Sequence, residues 1–297
     1  MLSVVNVFPE IVPWLFLVLT IITIFIKPRI WPIGLLFTLL SGFHFDAISF
    51  LGLGGVILLF SMAFYARKLA DSSLNKTLNL VLTLLILIGC IGLAAHAIPG
   101  FNNLLILNQV EKSVNSVPFS MYFNFDKPMI LFILLVLYPT VLVNQKGVRF
   151  LPAMQVSKFN LGLPLVTIIS FTVIFLLANL LSLITFEADL PRWWWWFAIN
   201  NLLLTCVVEE VFFRGVIQQK LARKFSPVIG ILVASILFGI AHFAGGINYM
   251  LVAILAGFLY GFIYLQTGKL WQAILIHFCL NMTHLYLFTY PLAKSYA

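Results

Sequence analysis

Long apolar runs separated by short polar islands fill this chain, at about Ile11 to Ile26, Ile30 to Phe43, Ala47 to Ala66, Leu78 to Ile98, Met129 to Val143, Leu161 to Phe186, Trp193 to Ile217, Pro227 to Phe243, Tyr249 to Gln266 and Leu270 to Tyr290. A spanning helix needs about 20 apolar residues, whereas a transmembrane β-strand alternates, and these runs do not alternate. The pattern predicts an all-α, polytopic transmembrane helix bundle of about ten spans, with Ile30 to Phe43 the shortest of them.

The polar islands give the chain a direction. If alternate loops lie in the cytoplasm, Lys27, Arg29, Arg67, Lys68, Lys76, Lys146, Arg149, Lys158, Lys220, Arg223, Lys224 and Lys269 fall on one side, and Lys112, Lys127, Arg192 and Lys294 on the other. Short cytoplasmic loops collect Lys and Arg, so this bias supports ten spans with both termini outside. Trp193, Trp194, Trp195 and Trp196 follow the acidic loop of Glu187 and Asp189 and mark the outer end of the seventh span, because tryptophan favours the headgroup level. The long loop Pro99 to Pro128 opens with a Pro-Gly turn and reads as a connector rather than a lid. Val216 to Phe225, with three basic residues, is either an amphipathic interfacial helix or the solvated end of the seventh span. The one internal boundary falls near the sixth span, dividing N-terminal helices (1–160) from a four-helix C-terminal core (161–297).

Composition narrows the class. Of 297 residues, 62% are hydrophobic and 9% charged, against about half and about a quarter in a soluble domain, which excludes a soluble fold. The net charge of +8 is spread over the ends of apolar runs rather than gathered in a patch, so the expected partners include the lipid bilayer and no nucleic acid. Cys90, Cys206 and Cys279 all lie within apolar runs and read as small buried hydrophobes. Leu15 to Ile26 lacks both a preceding basic region and a following cleavage site, so it reads as the first span and not as a signal peptide. The absence of a targeting extension favours the bacterial cytoplasmic membrane, with the endoplasmic reticulum second.

An ionisable side chain within a span costs roughly 2.5 to 3.5 kcal/mol on insertion scales, so each needs a reason. They cluster late: Glu209, Glu210 and Arg214 on the seventh span, His242 on the eighth, and His277, Asn281 and His284 on the tenth. Glu210 and Arg214 are four apart on one helix face and neutralise each other. Glu209 points about 100° away, free to face another partner, at a depth of roughly 20 to 24 Å from either end of a helix running from Trp193 to about Lys224. A carboxylate there suits general base or acid work. His277 and Asn281 share a face as donors suited to an oxyanion, and Phe238 sets an aromatic wall beside His242, whose imidazole helps Glu209 hold a water. Base, water and oxyanion donors are the minimum for non-covalent peptide hydrolysis. His44, Asp46 and His96 read as structural polar groups, and His284 as structural or as lining the entrance.

The same residues carry a family resemblance. Glu209-Glu210-Val211-Phe212-Phe213-Arg214 fits E-E-x-x-x-R, Phe238-Gly239-Ile240-Ala241-His242 fits F-x-x-x-H, and His277-Phe278-Cys279-Leu280-Asn281 fits H-x-x-x-N. In this order, over roughly Trp193 to Tyr290, the chain resembles the CAAX-protease and bacteriocin-processing family, the type II CAAX prenyl endopeptidases. The resemblance implies a glutamic-type intramembrane endopeptidase in which Glu209 and His242 activate water, His277 and Asn281 stabilise the oxyanion, and Glu210, Arg214 and Phe238 support them. The implied substrate is a membrane-associated protein or peptide. No cofactor is expected, because Glu210 is occupied by Arg214 and asparagine is a poor zinc ligand; the metal alternative is zinc on Glu209, His242 and His277. The functional alternative is a non-proteolytic membrane protein, immunity-related or scaffold-like, that retains the motifs. A transporter would be favoured by an internal repeat or paired broken helices, and neither is seen.

Overall fold

The computed structural model describes residues 7–70, 75–146, 155–156, 159–160 and 162–296. Each of the ten apolar runs contains a helix: α1 Val12–Ile26, α2 Trp31–His44, α3 Phe50–Leu69, α4 Lys76–Ala94, α5 Met129–Leu137, α6 Gly162–Leu180, α7 Trp194–Lys224, α8 Pro227–Ile240, α9 Ile247–Thr267 and α10 Leu270–Leu287. Local chemistry sets several of their ends. Pro13, Pro32 and Pro227 occupy first turns, where proline loses no helical hydrogen bond. Ser49 and Ser226 accept from the amides of Gly52 and Ile229 as N-caps of α3 and α8, and Gly268, with φ +66°, stops α9 in the left-handed region.

The helices form a membrane bundle. Five of them, α3, α4, α6, α7 and α9, are long and apolar enough to cross a bilayer, while α1, α2 and α8 are shorter apolar helices. Along α8, Val228, Ile229, Leu232, Val233, Ile236 and Leu237 are exposed, whereas Gly230, Ile231, Ala234, Ser235, Phe238 and Gly239 are buried. An apolar stripe left outside suits a helix whose solvent is lipid.

One expectation is corrected. Met129 to Val143 is not a single spanning helix: α5 has nine residues, a rise of about 13.5 Å against the roughly 30 Å hydrocarbon core, and 138–143 continue without helix. All its residues but Val136 are buried, as befits a helix apolar on every face that is held inside protein. Within the connector Pro99 to Pro128, β1 (Leu104–Val110) and β2 (Phe119–Phe123) pair in a two-stranded sheet. A second, two-residue antiparallel pair joins β3 (Gln155–Val156) to β4 (Phe159–Asn160). Arg149 and Lys158, used in the charge bias, lie outside the described residues, as does Leu161.

The chain divides into two compact units interleaved in sequence: 1–108, 120–141 and 203–208 form one, and 109–119, 142–202 and 209–297 the other. In the first, α1 packs on α2 through a buried Thr20–Thr38 hydroxyl contact of 3.2 Å, and α3 packs on α4 and α5. His96 Nδ1 lies 2.7 Å from Asp126 Oδ2, a polar tie consistent with the structural reading of this histidine. In the second, α8 packs on α9, and α9 on α6 and α10. Just past β1, Lys112 Nζ donates to the carbonyls of Glu187 (2.6 Å), Phe288 (2.5 Å) and Tyr286 (3.4 Å), and Ser113 donates to the Glu187 carboxylate at 2.7 Å. Burial holds the Lys112 ammonium below the ordinary lysine range, while the charges of Glu187 and Asp189 pull the other way. The connector therefore fastens the end of α10.

Candidate active site

All seven residues singled out on sequence grounds lie in the second unit. Helix α7 carries three of them, and it is not a plain α-helix. Asn200–Cys206 and Val211–Gln218 are π-helical, leaving Val207–Glu210 as a short α-helical link between them. A π turn closes i→i+5 hydrogen bonds, admits an extra residue per turn and is frequently found at functional sites. Glu209 sits in that link, fifteen residues from Trp194 and fifteen from Lys224, at the middle of the helix.

The buried charges are tightly arranged. Arg214 Nη1 donates to Glu210 Oε1 at 3.0 Å, with both side chains fully buried, as their four-residue spacing predicts. Arg214 Nη2 donates to the Gly257 carbonyl at 2.7 Å, and the guanidinium lies over the rings of Phe238 (4.6 Å) and Tyr260 (5.3 Å). One turn on, Gln218 Nε2 donates to the Gly261 carbonyl at 2.9 Å. Two parallel rungs thus join α7 to α9. A Cβ on Gly257 would come within 3.2 Å of Arg214 Nη2, and one on Gly261 within 2.7 Å of Gln218 Oε1, so the rungs require the close backbone approach that glycine allows.

His277 binds both glutamates into one cluster. Its Nδ1 lies 2.8 Å from Glu210 Oε1 and its Nε2 4.0 Å from Glu209 Oε2. Since a carboxylate accepts, Nδ1 carries the proton toward Glu210. The ring stacks on Tyr260 with centroids 4.4 Å apart and an interplanar angle of 15°. Glu210 thus has a second partner that helical spacing alone did not indicate, and α10 also supplies a partner for Glu209.

His242 is displaced from its expected place. Helix α8 ends at Ile240, and His242 follows it at the start of a 3-10 turn, Phe243–Gly245, that leads into Gly246 with φ +90°. Fourteen residues rise about 21 Å, less than the hydrocarbon thickness, so a helix that starts beside the basic residues Arg223 and Lys224 brings His242 to its inner end. His242 Nδ1 donates to the Phe238 carbonyl at 2.7 Å, which leaves Nε2 to present a lone pair. Its ring lies 4.6 Å from that of Phe238 and 6.1 Å from that of Tyr249, and Phe238 in turn lies 5.6 Å from His277. Asn281 Nδ2 donates to Asn201 Oδ1 at 3.2 Å. His284 is placed apart, with Nε2 3.1 Å from the Thr289 carbonyl and its ring near Tyr290 and Phe175, as a structural residue would be.

The structure therefore brings together Glu209, Glu210, Arg214, His277 and Phe238, joins His242 to them through Phe238, and sets Asn281 one turn beyond His277. Among the described residues no group of three His, Cys, Asp or Glu side chains has the arrangement of a metal site. Sequence reasoning missed Asn201, Tyr249, Gly257, Tyr260 and Gly261. Two tyrosines and a pair of glycines four apart within an apolar span were the available signal.

Fold and site together define a multi-helix membrane protein whose C-terminal helices enclose a buried glutamate–arginine–histidine cluster. Residues 191–283 match the family described as type II CAAX prenyl endopeptidase Rce1-like, and all seven motif residues fall inside that segment. The resemblance read from the three motifs is thus matched over the chain's last third. Over 75 residues the chain is 31% identical to a Bacillus subtilis (strain 168) protein named "Putative membrane peptidase YdiL", a match covering 25% of this chain and 30% of that relative. No solved structure matches. The family and the relative's name both point to a membrane peptidase.

Proposed function

We propose that the chain is a glutamic-type intramembrane endopeptidase that hydrolyses a peptide bond in a membrane-associated protein or peptide. The observation that carries this reading is the position of His277, which faces Glu210 with one ring nitrogen and Glu209 with the other inside a buried cluster. Glu209 takes a proton from water as the oxygen attacks the scissile carbonyl, and His242 holds that water through Nε2, its tautomer fixed by the bond from Nδ1 to the Phe238 carbonyl. The oxyanion accepts from the Asn281 amide, turned from Asn201, and from His277 Nε2, which donates when the ring between the two carboxylates carries a proton on both nitrogens. Glu209 then returns the proton to the amine nitrogen as the carbon–nitrogen bond breaks, giving a carboxylate and an amine. Glu210 and Arg214 orient His277, and Phe238 walls the site. No cofactor enters this scheme. We assign the protein to the bacterial cytoplasmic membrane.

The test is to purify wild type and Glu209→Gln side by side and to follow cleavage of a peptide library in detergent, with and without a zinc chelator. The proposal expects products from the wild type that persist in chelator and fall by two orders of magnitude or more in the variant, on the scale of about 10² to 10⁴ for a general base. Loss of wild-type cleavage on chelation moves the chemistry to zinc.

A further inference from the structure

A cavity of about 420 Å³ opens in the second unit where α7 and α9 end, well along α7 from Glu209. Gln145, Lys146, Gln218, Gln219, Arg223 and Tyr264 supply its polar lining, and no carboxylate is among the lining residues. The walls are fixed: the Gln145 amide donates to the Gly268 carbonyl at 2.7 Å, Arg223 donates to Gln145 Oε1 at 3.2 Å, and Gln219 donates to the Tyr264 hydroxyl at 3.2 Å. Gln218 is 2% exposed, and its Oε1 has no hydrogen-bond partner among the described residues. That oxygen is enclosed against Gly261, so the charged groups at the edge of the cavity are the two cations, Lys146 and Arg223.

We propose that this cavity binds the headgroup of an anionic phospholipid, with the phosphodiester on Arg223 and Lys146. Two cations with no carboxylate among the lining residues select an anion. The volume lies within the range of small-ligand pockets, which a bare phosphate would leave largely empty. The lipid source follows from the setting. Lys220, Lys224 and Lys269 gather at the same helix ends, and basic pockets between helices on the charge-rich side of a membrane protein bind such headgroups. Pro227 lines the cavity, and from Val228 onward α8 presents the exposed apolar stripe along which an acyl chain can run.

The full-length protein in detergent would be titrated with phosphatidylglycerol, phosphatidylcholine or free glycerol phosphate, and bound lipid counted by native mass spectrometry. Wild type should retain phosphatidylglycerol in preference to phosphatidylcholine, and free glycerol phosphate at equal concentration should not displace it. Lys146→Gln/Arg223→Gln, both at partly or fully exposed side chains, should weaken retention by about thirtyfold at an unchanged unfolding temperature, while Lys269→Gln should not. Equal retention of phosphatidylcholine, indifference to the double substitution, or displacement by glycerol phosphate would overturn the proposal.

Discussion

Replacing Arg214 with methionine strikes the centre of the buried charge cluster. The guanidinium is fully buried, pairs with Glu210 at 3.0 Å, donates to the Gly257 carbonyl at 2.7 Å and lies 4.6 Å from the Phe238 centroid. Methionine keeps most of the volume but leaves the Glu210 carboxylate buried with only His277 beside it. Breaking a buried pair from one side costs about 3 to 5 kcal/mol, because the remaining charge stays desolvated. At about 2 to 4 °C per kcal/mol for a large domain, Arg214→Met should lower the unfolding temperature in detergent by about 10 °C. Arg214→Met/Glu210→Gln removes that charge and should recover about 2 kcal/mol of the loss, which thermal unfolding of the two variants beside wild type would measure. A single variant within about 1 kcal/mol of wild type, or a double variant no more stable than the single, would refute the description of Glu210 and Arg214 as one coupled unit.

Other perturbations read different parts of the molecule. Gly257→Ala and Gly261→Ala should each destabilise by about 1 to 3 kcal/mol through overpacking against Arg214 and Gln218, whereas Gly54→Ala, where an added Cβ meets nothing within 4 Å, should be neutral or stabilising in the same melts. Lys112→Met removes the donor to three carbonyls and should cost about 1.5 to 3 kcal/mol, seen as faster amide exchange at the end of α10. His242→Ala should lower kcat by about 10² to 10⁴ with little change in unfolding temperature, since the side chain is only partly buried and closes no ion pair; a variant that keeps full activity removes His242 from the mechanism.

The helices were legible wherever apolar length was the only question, and each of the ten runs holds one. What covers a helix was not legible. Hydropathy gives Met129–Leu137 the same signature as a span, although it is buried in protein, because transfer scales do not distinguish lipid from a protein interior. The Glu210–Arg214 pair was readable because four-residue spacing is a local rule. His277, 67 residues from Glu210 in the chain, could be assigned a helix face but not a partner. The place of His242 beyond the end of α8 had one sequence signal, the Gly245-Gly246 pair close behind it. The π segments of α7 had none, since apolar stretches such as Leu202 to Leu204 suit either helix. Gly257 and Gly261 became meaningful only when the Arg214 and Gln218 side chains were seen donating to their carbonyls.

The central claim is that Glu209 activates water for peptide hydrolysis, and new protein N-termini test it most directly. Membranes from cells making wild type or Glu209→Gln at equal levels, with matched unfolding temperatures, would be compared by mass spectrometry of N-terminal peptides. The account predicts a defined set of new N-termini at or near membrane segments in the wild type that is absent with Glu209→Gln. Identical sets from the two folded proteins would contradict it and leave a non-proteolytic membrane protein that keeps the motifs for its structure.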